Sequence, residues 1–411
     1  MNDLINISKP LKNISGTFEL PGSKSESNRT LIINSLSGNK SKLNNLSSSN
    51  DTKVLQNALI SNESEIDIND AGTAMRFLTA FFVANKQDKI LTGNDRMKER
   101  PIKALVDALK LLGANIEYIE KSGYPPLKIN GNISDINSNK IKIHANISSQ
   151  YISALLMIAP ILPAGLEIEL EGKISSTPYI HMTLGIMQQF GIDSEFKGKI
   201  IRIPKQNYLP SEFTVESDWS NASYWYSMAA LSNDPAIFLK GFKRKSLQGD
   251  SIIKDLMLPF GINTEFSDTG VFITKNSEAN LKFPATIDFS DYPDLAQAII
   301  VLCAAKRINC KFTGLESLRI KETDRIKALQ NELLKFGISL FEESENIYCL
   351  DGVFKSESSP TIETHNDHRM AMAFTPLSLL CKNIKIKNPA CVNKSYPGFW
   401  DDIIMAGFIT E

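Results

Sequence analysis

Cationic side chains are concentrated in a few short segments of a chain that is almost neutral overall. Among its 411 residues, 45 Lys and Arg are balanced by 46 Asp and Glu, which gives a net charge of −1. Most of these cations lie near predicted helix starts, next to glycine or small polar residues. They are Lys24, Arg29, Arg76, Arg96, Arg100, Lys321, Arg325, Arg369 and Lys394. Because cations are unfavourable at the positive end of a helix dipole, the pattern predicts bound anions. So many cations would suit two phosphate-like groups, or a phosphate and a carboxylate.

Each of these motifs has a simpler interpretation when it is taken alone. Residues 21–29, PGSKSESNR, are as typical of a solvated turn as of an anion-binding loop. Residues 319–325, RIKETDR, fit an exposed helix with ion pairs such as Glu322–Arg325. Residues 71–77, AGTAMRF, fit a helix whose glycine permits close packing. Only their occurrence together, in step with a repeat along the chain, favours one common site.

Other kinds of chemistry are not indicated. The sequence has no GxxxxGK[ST] motif and no GxGxxG after a strand, and residues 148–151, SSQY, do not match the GxSxG nucleophile turn. His365 and His368 are three residues apart, but without HExxH or a nearby thiolate a structural or substrate-contacting role is favoured over a metal site. Residues 224–229, YWYSMA, are predicted to be core packing rather than a platform for bases.

Composition bounds the location and the partners. A net charge near zero argues against a nucleic-acid-binding surface of the whole protein. The five cysteines include no CxxC pair and are odd in number, as expected for free thiols in a reducing compartment. No secretory signal is visible at the N-terminus, and the longest apolar runs are too short to cross a bilayer. We therefore expect a soluble cytoplasmic protein.

The elements that must position the cations follow an internal repeat. Five apolar helical stretches end in a glycine and continue into a strand-like segment, with intervals of 70 to 78 residues between the glycines. These glycines are Gly113, Gly191, Gly261, Gly337 and Gly407. Glycine suits the position after a last helical turn because it adopts the left-handed conformation without a Cβ clash. Near-constant spacing predicts a repeated structural unit.

Two further series run in step with the glycines. Helix starts with small polar residues are predicted within 69–77, 148–156, 218–226, 291–299 and 365–374, and strands at 89–93, 166–170, 236–240 and 310–314. Each unit therefore has the order βαβαββ, and about six units fill the chain. The predicted fold class is α/β, with three units in each of two domains and a boundary near residues 210–217.

Eight segments resemble, in order, the signatures of the EPSP synthase (3-phosphoshikimate 1-carboxyvinyltransferase) family. They are LPGSKSESNR, DAGTAMR, LTGNDRMKERPI, ISSQYISALL, SSTPYI, RIKETDR, HNDHRMAM and NKSYPGFW, between residues 20 and 400. The resemblance implies a two-domain inside-out α/β fold built from six βαβαββ repeat units. The implied domains are residues 1–21 plus 217–411 and residues 22–216, with the active site in the cleft between them.

The family reaction joins the enolpyruvyl group of phosphoenolpyruvate to the 5-hydroxyl of shikimate 3-phosphate and releases phosphate. The resemblance implies a monomer with these two small-molecule substrates, and no cofactor, metal, nucleic acid or membrane as a partner. Both substrates are polyanions, which would account for the clustered cations.

The same resemblance implies the site residues. Shikimate 3-phosphate would be held by Lys24, Ser25, Arg29, Ser148, Ser149, Gln150, Ser176, Tyr179, Asp294, Ser317 and Lys321. Phosphoenolpyruvate would be held by Lys24, Gly72, Arg96, Gln150, Arg325, Arg369 and Lys394, with Arg76 and Arg100 as supporting charges.

The implied catalytic residues are Lys24, Asp294, Glu322, His368 and Lys394. Asp294 would accept the 5-hydroxyl proton. Glu322 would protonate the enol methylene, later help to deprotonate it, and be tuned by a hydrogen bond from His368. Lys394 is a candidate proton donor to the leaving phosphate. Glu26, at the variable position of the first motif, is expected to face solvent.

Three residues depart from the family pattern, and two rival functions share part of it. Asp70 replaces a common Asn, Phe77 follows Arg76 where Pro or Leu is usual, and Ser317 replaces an Asn that contacts substrate in some members. UDP-N-acetylglucosamine enolpyruvyl transferase shares the fold, but most members carry a Cys in the loop that here is TGNDRMKERP. A non-catalytic anion-binding relative would not need both Asp294 and Glu322.

Overall fold

The chain folds into two compact units, seen in a computed structural model that describes residues 3–131, 139–144, 148–172, 174–276, 282–357 and 359–411. Unit 1 contains Met1–Pro21 and Glu216–Glu411, and unit 2 contains Gly22–Val215. Unit 1 is therefore built from both ends of the chain.

The strands, numbered in chain order, are β1 Leu4–Ser8, β2 Ser15–Phe18, β3 Lys42–Asn44, β4 Glu65–Asp67, β5 Lys89–Thr92, β6 Asn115–Tyr118, β7 Leu127–Asn130, β8 Lys140–His144, β9 Leu166–Glu171, β10 Glu195–Lys197, β11 Ile200–Ile203, β12 Glu212–Thr214, β13 Ala236–Lys240, β14 Ile262–Phe266, β15 Gly270–Lys275, β16 Thr286–Asp288, β17 Lys311–Thr313, β18 Ile338–Ser344, β19 Ile347–Gly352, β20 Thr361–Ile362, β21 Ile384–Lys387 and β22 Ile409–Thr410.

The α-helices are α1 Lys24–Leu36, α2 Asn50–Ile60, α3 Gly72–Ala84, α4 Asp95–Lys98, α5 Lys103–Leu111, α6 Ser149–Ile158, α7 Thr177–Gln189, α8 Trp219–Leu231, α9 Ile253–Leu256, α10 Ala296–Lys306, α11 Arg325–Leu334, α12 His368–Phe374 and α13 Phe399–Met405. Short 3₁₀ helices lie at Ala159–Ile161, Gly249–Ile252, Leu258–Phe260, Pro293–Leu295, Glu316–Ile320, Thr375–Leu379 and Pro389–Lys394.

Four-stranded sheets with one recurring strand order confirm the α/β class and the βαβαββ unit. In the clearest example β16 pairs in parallel with β17 across helix α10, and β17 pairs in antiparallel fashion with β19 of the β18–β19 hairpin. A parallel pair requires a crossover connection, whereas an antiparallel hairpin closes with a tight turn. The order strand, helix, strand, helix, hairpin follows directly from these two requirements.

Unit 1 contains three such sheets, with strand orders β2-β13-β15-β14, β16-β17-β19-β18 and β20-β21-β1-β22. The N-terminal strands β1 and β2 thus complete two sheets whose other strands come from the second half of the chain. Unit 2 contains β4-β5-β7-β6 and β8-β9-β11-β10, and its third sheet consists, in the described residues, of the parallel pair β3 and β12.

The glycine spacing marks the helix ends as predicted. Gly113, Gly191, Gly261, Gly337 and Gly407 all have φ between 76° and 92°. In this left-handed region a Cβ is disfavoured, so these residues end their helices and redirect the chain into the next strand. The structural prediction drawn from the repeat is confirmed.

Apolar cores fill both units. In unit 1, Trp225 of α8 stacks on Phe18 of β2 with ring centroids 4.0 Å apart, and Tyr224 and Tyr226 are also fully buried. The prediction that residues 224–229 belong to the core is confirmed. In unit 2, helix α6 is buried almost all round, as expected for a helix without a polar face. Among the described residues, no helix is both long and apolar enough to span a membrane.

Candidate active site

Two helix starts and one 3₁₀ helix bring the candidate catalytic residues of unit 1 together. Helix α11 begins at Arg325 after the cap Asp324, whose carboxylate accepts a hydrogen bond from the Lys327 N–H at 3.1 Å. Helix α12 begins after Asp367, which caps it in the same way. Asp294 lies in the 3₁₀ helix that precedes α10. Short polar caps of this kind satisfy N–H groups that the helix itself leaves unpaired.

Arg325 is the centre of this cluster, buried with 1% of its surface exposed. Its guanidinium donates from Nε to Asp367 Oδ2 at 2.7 Å, from Nη1 to Asp294 Oδ1 at 3.1 Å and from Nη2 to Glu322 Oε2 at 2.8 Å. Burial by itself would lower the pKa of Arg325, but attraction to the three carboxylates outweighs burial and raises it. The guanidinium is thus a permanent cation that orients three acids.

Arg369, the second residue of α12, holds Asp294 from another side. Its Nη2 donates to Asp294 Oδ2 at 2.7 Å, and its Nη1 donates to the Asp294 carbonyl at 3.2 Å and to Tyr224 Oη at 3.4 Å. Burial raises the pKa of Tyr224 to about 12, with Arg369 partly opposing the shift. Tyr224 therefore stays a neutral phenol beside the guanidinium.

The electrostatics of Asp294 follow from these neighbours. Burial opposes its ionisation, but attraction to Arg369, Lys321 and Arg325 prevails and holds the pKa of Asp294 well below its usual range. Asp294 is therefore an ionised carboxylate in this structure. A carboxylate with so low a pKa is a weak base unless its attraction to the neighbouring cations is weakened.

The other candidates of unit 1 lie on the same elements. Lys394 ends the 3₁₀ helix Pro389–Lys394 and is 6% exposed. Ser317 lies in the 3₁₀ helix Glu316–Ile320, and Lys321 follows it. His368 is buried, with its Nδ1 3.6 Å from Asp367 Oδ1. The hydrogen bond from His368 to Glu322 stays a prediction.

Asp250 is a buried acid near this cluster that the sequence did not single out. It is 4% exposed and accepts a short hydrogen bond from the Ser220 hydroxyl at Oδ2. Its Oδ1 has no hydrogen-bond partner among the described residues. Burial, reinforced by the charge of Asp294, raises the pKa of Asp250 to about 7.

Arg29 is a buried cation of unit 2 and lies where α1, α6 and α7 meet. It donates from Nε to Thr183 Oγ1 at 2.7 Å, from Nη2 to Ser153 Oγ at 2.9 Å and from Nη1 to the Ser25 carbonyl at 2.9 Å. Its guanidinium also lies 5.4 Å from the Phe77 ring centre and 5.9 Å from that of Tyr179. Burial, only partly opposed by Tyr179 and Glu26, lowers the pKa of Arg29 to about 10.

Lys24, the first residue of α1, forms an ion pair with Asp51 at 2.9 Å. The two side chains are 14% and 4% exposed, so the pair is largely removed from water. Asp51 was not among the predicted site residues. It lies in the first turn of α2, where a carboxylate is favoured by the helix dipole.

Helices α6 and α7 position the hydroxyl and amide candidates. Ser148 caps α6 and Ser149 begins it, while Gln150 donates from Nε2 to Thr73 Oγ1 of α3 at 3.2 Å. Ser176 precedes α7 with φ of 56°, a left-handed conformation that is costly for a residue with a side chain. Tyr179 lies in the first turn of α7 and contacts Arg29.

A second group of candidate residues in unit 2 consists of Gly72, Arg76, Arg96 and Arg100. A Cβ on Gly72 would lie 2.4 Å from Arg100 Nη1, so any side chain there would displace this buried guanidinium. Arg76 donates to the Gly72 carbonyl at 3.2 Å and to the Pro101 carbonyl at 2.8 Å. Arg96, on α4, pairs with Glu99 at 2.9 Å and is about one-third exposed.

One sequence-based expectation is wrong, and the simpler interpretation of one motif taken alone is excluded. Glu26 does not face solvent but is 1% exposed in the first turn of α1, where it is near enough to act on the charge of Arg29. Residues 319–325 do not form an exposed helix, because α11 begins only at Arg325, which is buried. The Glu322–Arg325 ion pair does form, but inside the cluster rather than on a solvated face.

The sequence also missed several residues of the site. Asp367 lies beside His368 and Arg369 within the motif HNDHRMAM, so its neighbours were a signal that it could matter. Tyr224 and Asp250 carried no comparable signal, since each reaches the cluster from a distant part of the chain. Within the described residues, no group of three or more His, Cys, Asp or Glu is arranged to hold a metal ion.

A family model described as EPSP synthase (3-phosphoshikimate 1-carboxyvinyltransferase) matches residues 8–61 and 54–403 of the chain. The chain belongs to the EPSP synthase family. A 3-phosphoshikimate 1-carboxyvinyltransferase of Bacteroides fragilis is 46% identical to it over 397 residues, which cover 96% of each chain. Another, of Vibrio campbellii, is 34% identical and is covered to 97%, with 96% of this chain aligned.

Two solved structures share the fold of this chain. An EPSP synthase of Acinetobacter baumannii superimposes with a TM-score of 0.76 at 20% identity, over 99% of both chains. The enolpyruvyl transferase NikO of Streptomyces tendae does so with a TM-score of 0.75 at 13% identity, over 99% of this chain and 98% of that one. At such identities these likenesses concern the fold.

Proposed function

We propose that the chain transfers the enolpyruvyl group of phosphoenolpyruvate to the 5-hydroxyl of shikimate 3-phosphate. The products are 5-enolpyruvylshikimate 3-phosphate and inorganic phosphate, a step towards chorismate and the aromatic amino acids. The observation that carries the proposal is the cluster around Arg325, which joins three acids and two buried arginines through contacts of 2.7 to 3.1 Å. Membership of the family supports the choice of substrates.

Phosphoenolpyruvate, in this proposal, binds by exchanging ion pairs. Arg325 and Arg369 are both occupied by Asp294, whose two oxygens lie 3.1 Å and 2.7 Å from them. A carboxylate or phosphate of the substrate would compete for the same N–H groups and weaken their attraction to Asp294. Because that attraction holds the pKa of Asp294 down, binding would raise this pKa and make Asp294 a better base.

The chemistry then requires four proton transfers, the formation of one C–O bond and the cleavage of another. Asp294 accepts the proton of the 5-hydroxyl as its oxygen attacks C2 of phosphoenolpyruvate, while Glu322 delivers a proton to the methylene carbon. In the second step a proton returns from that carbon, with help from Glu322, as the C–O bond to phosphate breaks. Lys394 protonates the departing phosphate. Arginines around the phosphate offset its growing charge.

Shikimate 3-phosphate is assigned mainly to residues of unit 2, with three further residues from unit 1. Arg29 supports this assignment, since it is buried among hydroxyl, carbonyl and aromatic groups and has no ion pair within 4.0 Å in the part of the chain that the structure describes. A bound phosphate would supply the missing negative charge. We assign Lys24, Ser25, Ser148, Ser149, Gln150, Ser176 and Tyr179 to the same substrate, together with Asp294, Ser317 and Lys321.

The remaining assignments complete the proposal. Lys24, Gly72, Arg96, Gln150 and Lys394 join the two arginines around phosphoenolpyruvate, and His368 tunes Glu322. The proposed domains are residues 1–21 plus 217–411 and residues 22–216. A cytoplasmic monomer without nucleic-acid partners is the proposed state, supported by five unpaired thiols and a net charge of −1.

A phosphate-release assay tests the function. With shikimate 3-phosphate and phosphoenolpyruvate present, the purified protein should release phosphate, and omission of shikimate 3-phosphate should abolish the release. Substituting UDP-N-acetylglucosamine for shikimate 3-phosphate should give none. Phosphate release from phosphoenolpyruvate with UDP-N-acetylglucosamine, but not with shikimate 3-phosphate, would identify the UDP-N-acetylglucosamine enolpyruvyl transferase activity. No phosphate release with either acceptor would favour a non-catalytic binding protein. Glu316→Gln, on an exposed residue near Glu322, serves as the active control variant.

A further inference from the structure

A buried glutamate that no proposed step uses lies two turns along α11 from Arg325. Glu332 is 1% exposed, and its carboxylate accepts hydrogen bonds from Lys335 Nζ at 2.6 Å and from the Glu363 backbone N–H at 3.0 Å. The Nε2 atom of His365 lies 3.3 Å from its other oxygen. A buried carboxylate is costly unless it is paired and hydrogen-bonded. Glu332 and these three partners therefore fix one another's positions.

Two of the three partners of Glu332, Glu363 and His365, belong to one segment, residues 361–367, which runs along α11 towards Arg369. Lys335 donates to the Thr361 carbonyl at 2.7 Å near the end of α11. Glu332 holds the middle of the segment, and Arg325 holds Asp367 at 2.7 Å at the start of the helix. Helix α11 therefore fixes the segment at three successive points.

The same segment contains an unfavourable backbone conformation. His365 and Asn366 have φ of 52° and 56°, so two consecutive residues with side chains are left-handed. Such a conformation persists only where surrounding contacts impose it. Glu332 contacts His365, while Asn388 donates from Nδ2 to Asn366 Oδ1 at 2.8 Å. The turn they hold delivers Asp367 to its capping position and sets where α12 begins.

We propose that Glu332 is a positioning residue for phosphoenolpyruvate. By holding residues 363–366 in the left-handed turn, it sets the start of α12 and so the orientation of Arg369. The inference rests on the proposed assignment of Arg369 to phosphoenolpyruvate. It assigns nothing to shikimate 3-phosphate, whose proposed phosphate-binding cation, Arg29, lies in unit 2.

Glu332→Gln is the test, since it keeps the size of the side chain but removes the charge that Lys335 and His365 face. We expect KM for phosphoenolpyruvate to rise by about 10-fold or more, because small misplacements of a substrate-binding group are expensive. KM for shikimate 3-phosphate should stay within about twofold of the wild-type value. Both constants are measured at a temperature where circular dichroism shows the variant to be folded.

Matched variants separate positioning from stability. Glu343→Gln removes an exposed carboxylate of the same unit, paired with Lys311, and should change neither constant. Glu332→Asp keeps the charge on a shorter side chain, should restore KM for phosphoenolpyruvate at least in part, and decides the question if the Gln variant does not fold. An unchanged KM for phosphoenolpyruvate in folded Glu332→Gln would overturn the proposal, even if kcat fell, because loss of folded enzyme lowers kcat alone.

One further variant tests the assignment beneath the inference. Arg369→Lys should raise KM for phosphoenolpyruvate by about 10-fold or more, since Lys cannot reproduce the forked contacts of a guanidinium. An unchanged KM in that variant would remove Arg369 from the phosphoenolpyruvate site. A changed value there with no effect of Glu332→Gln would contradict only the role of Glu332.

Discussion

Arg325 of unit 1 and Arg29 of unit 2 are both buried guanidinium groups, but carboxylates neutralise only the charge of Arg325. Arg325 contacts three carboxylates, and their attraction raises its pKa. Arg29 contacts hydroxyl groups, a carbonyl and two aromatic rings, and burial lowers the pKa of Arg29 to about 10. The charge of Arg325 is stabilised by its carboxylate neighbours. The neighbours of Arg29 only partly compensate for the cost of burying its charge.

The difference indicates two ways of preparing a site for an anion. In unit 1 the arginines are paired with acids, so the proposed binding of phosphoenolpyruvate to these arginines would raise the pKa of Asp294. In unit 2 the neutral partners of Arg29 fix its direction without cancelling its charge. A buried cation of that kind lowers the stability of the folded protein while the site is empty. A bound phosphate would stabilise the folded protein.

The largest effect is expected at the acid that Arg325 orients. Glu322→Gln removes the proposed proton donor but leaves a side chain of the same size, so turnover should fall by about 10²- to 10⁴-fold. Substrate binding should be retained, with both KM values within about fivefold of wild type. Steady-state kinetics check this, and unchanged turnover would remove Glu322 from the mechanism.

Arg325→Met should strongly lower the unfolding free energy of unit 1. It leaves Asp294, Glu322 and Asp367 without their common cation, and breaking such a buried set costs about 3–5 kcal/mol of unfolding free energy. Urea denaturation followed by tryptophan fluorescence measures the loss, because Trp219 and Trp225 are buried in unit 1. A loss below about 1 kcal/mol would show that the carboxylates do not depend on Arg325.

Arg29→Met should separate binding from stability. KM for shikimate 3-phosphate should rise by about 10- to 100-fold, the value of one or two charge-assisted hydrogen bonds. The unfolding free energy should change by less than about 1 kcal/mol, because the lost hydrogen bonds are offset by removal of a buried charge. A destabilisation as large as that of Arg325→Met would mean that the two arginines are equivalent after all.

The smallest predicted effect concerns pH and Asp250. Its pKa of about 7 lies above the usual value of 3.8, so between these values the native state holds a proton that the unfolded state has lost. Its contribution to stability is therefore present at low pH and declines as pH rises through this range, levelling off above the native pKa.

Asp250→Asn mimics the protonated acid at every pH and should remove this decline. The unfolding free energy of the variant, relative to wild type, should rise by about 1–2 kcal/mol from about pH 5 to about pH 8. Denaturant titrations at both pH values check the sign. A variant whose relative stability falls over this range would show that Asp250 is ionised in the folded protein.

Much of the fold could be read from local sequence. Gly113, Gly191 and the other repeat glycines end helices because a left-handed residue is required there, a constraint that acts within a few residues. Strand β9, with alternating buried and half-exposed residues, likewise obeys a two-residue period. Lys24 and Arg325 are the first residues of their helices, as the clustering of cations at helix starts predicted.

Partner choice within the site could not be read in this way. Lys24 meets Asp51 27 residues away, Arg325 meets Asp367 42 residues away, and Arg369 meets Asp294 75 residues away. Nothing in the local pattern of an acid indicates which cation it will face. Glu26 was misjudged for the same reason, because its burial depends on what packs over α1 and not on its position in a motif.

The sequence by itself thus determined the repeat, the glycines that end helices, the family motifs and the concentration of cations, since each depends on neighbours along the chain. Only the tertiary structure decided that one arginine is hydrogen-bonded to three acids and another to none. That outcome depends on the desolvation and Coulomb energies of groups brought together by folding, and these energies exist only once the distances between them are set.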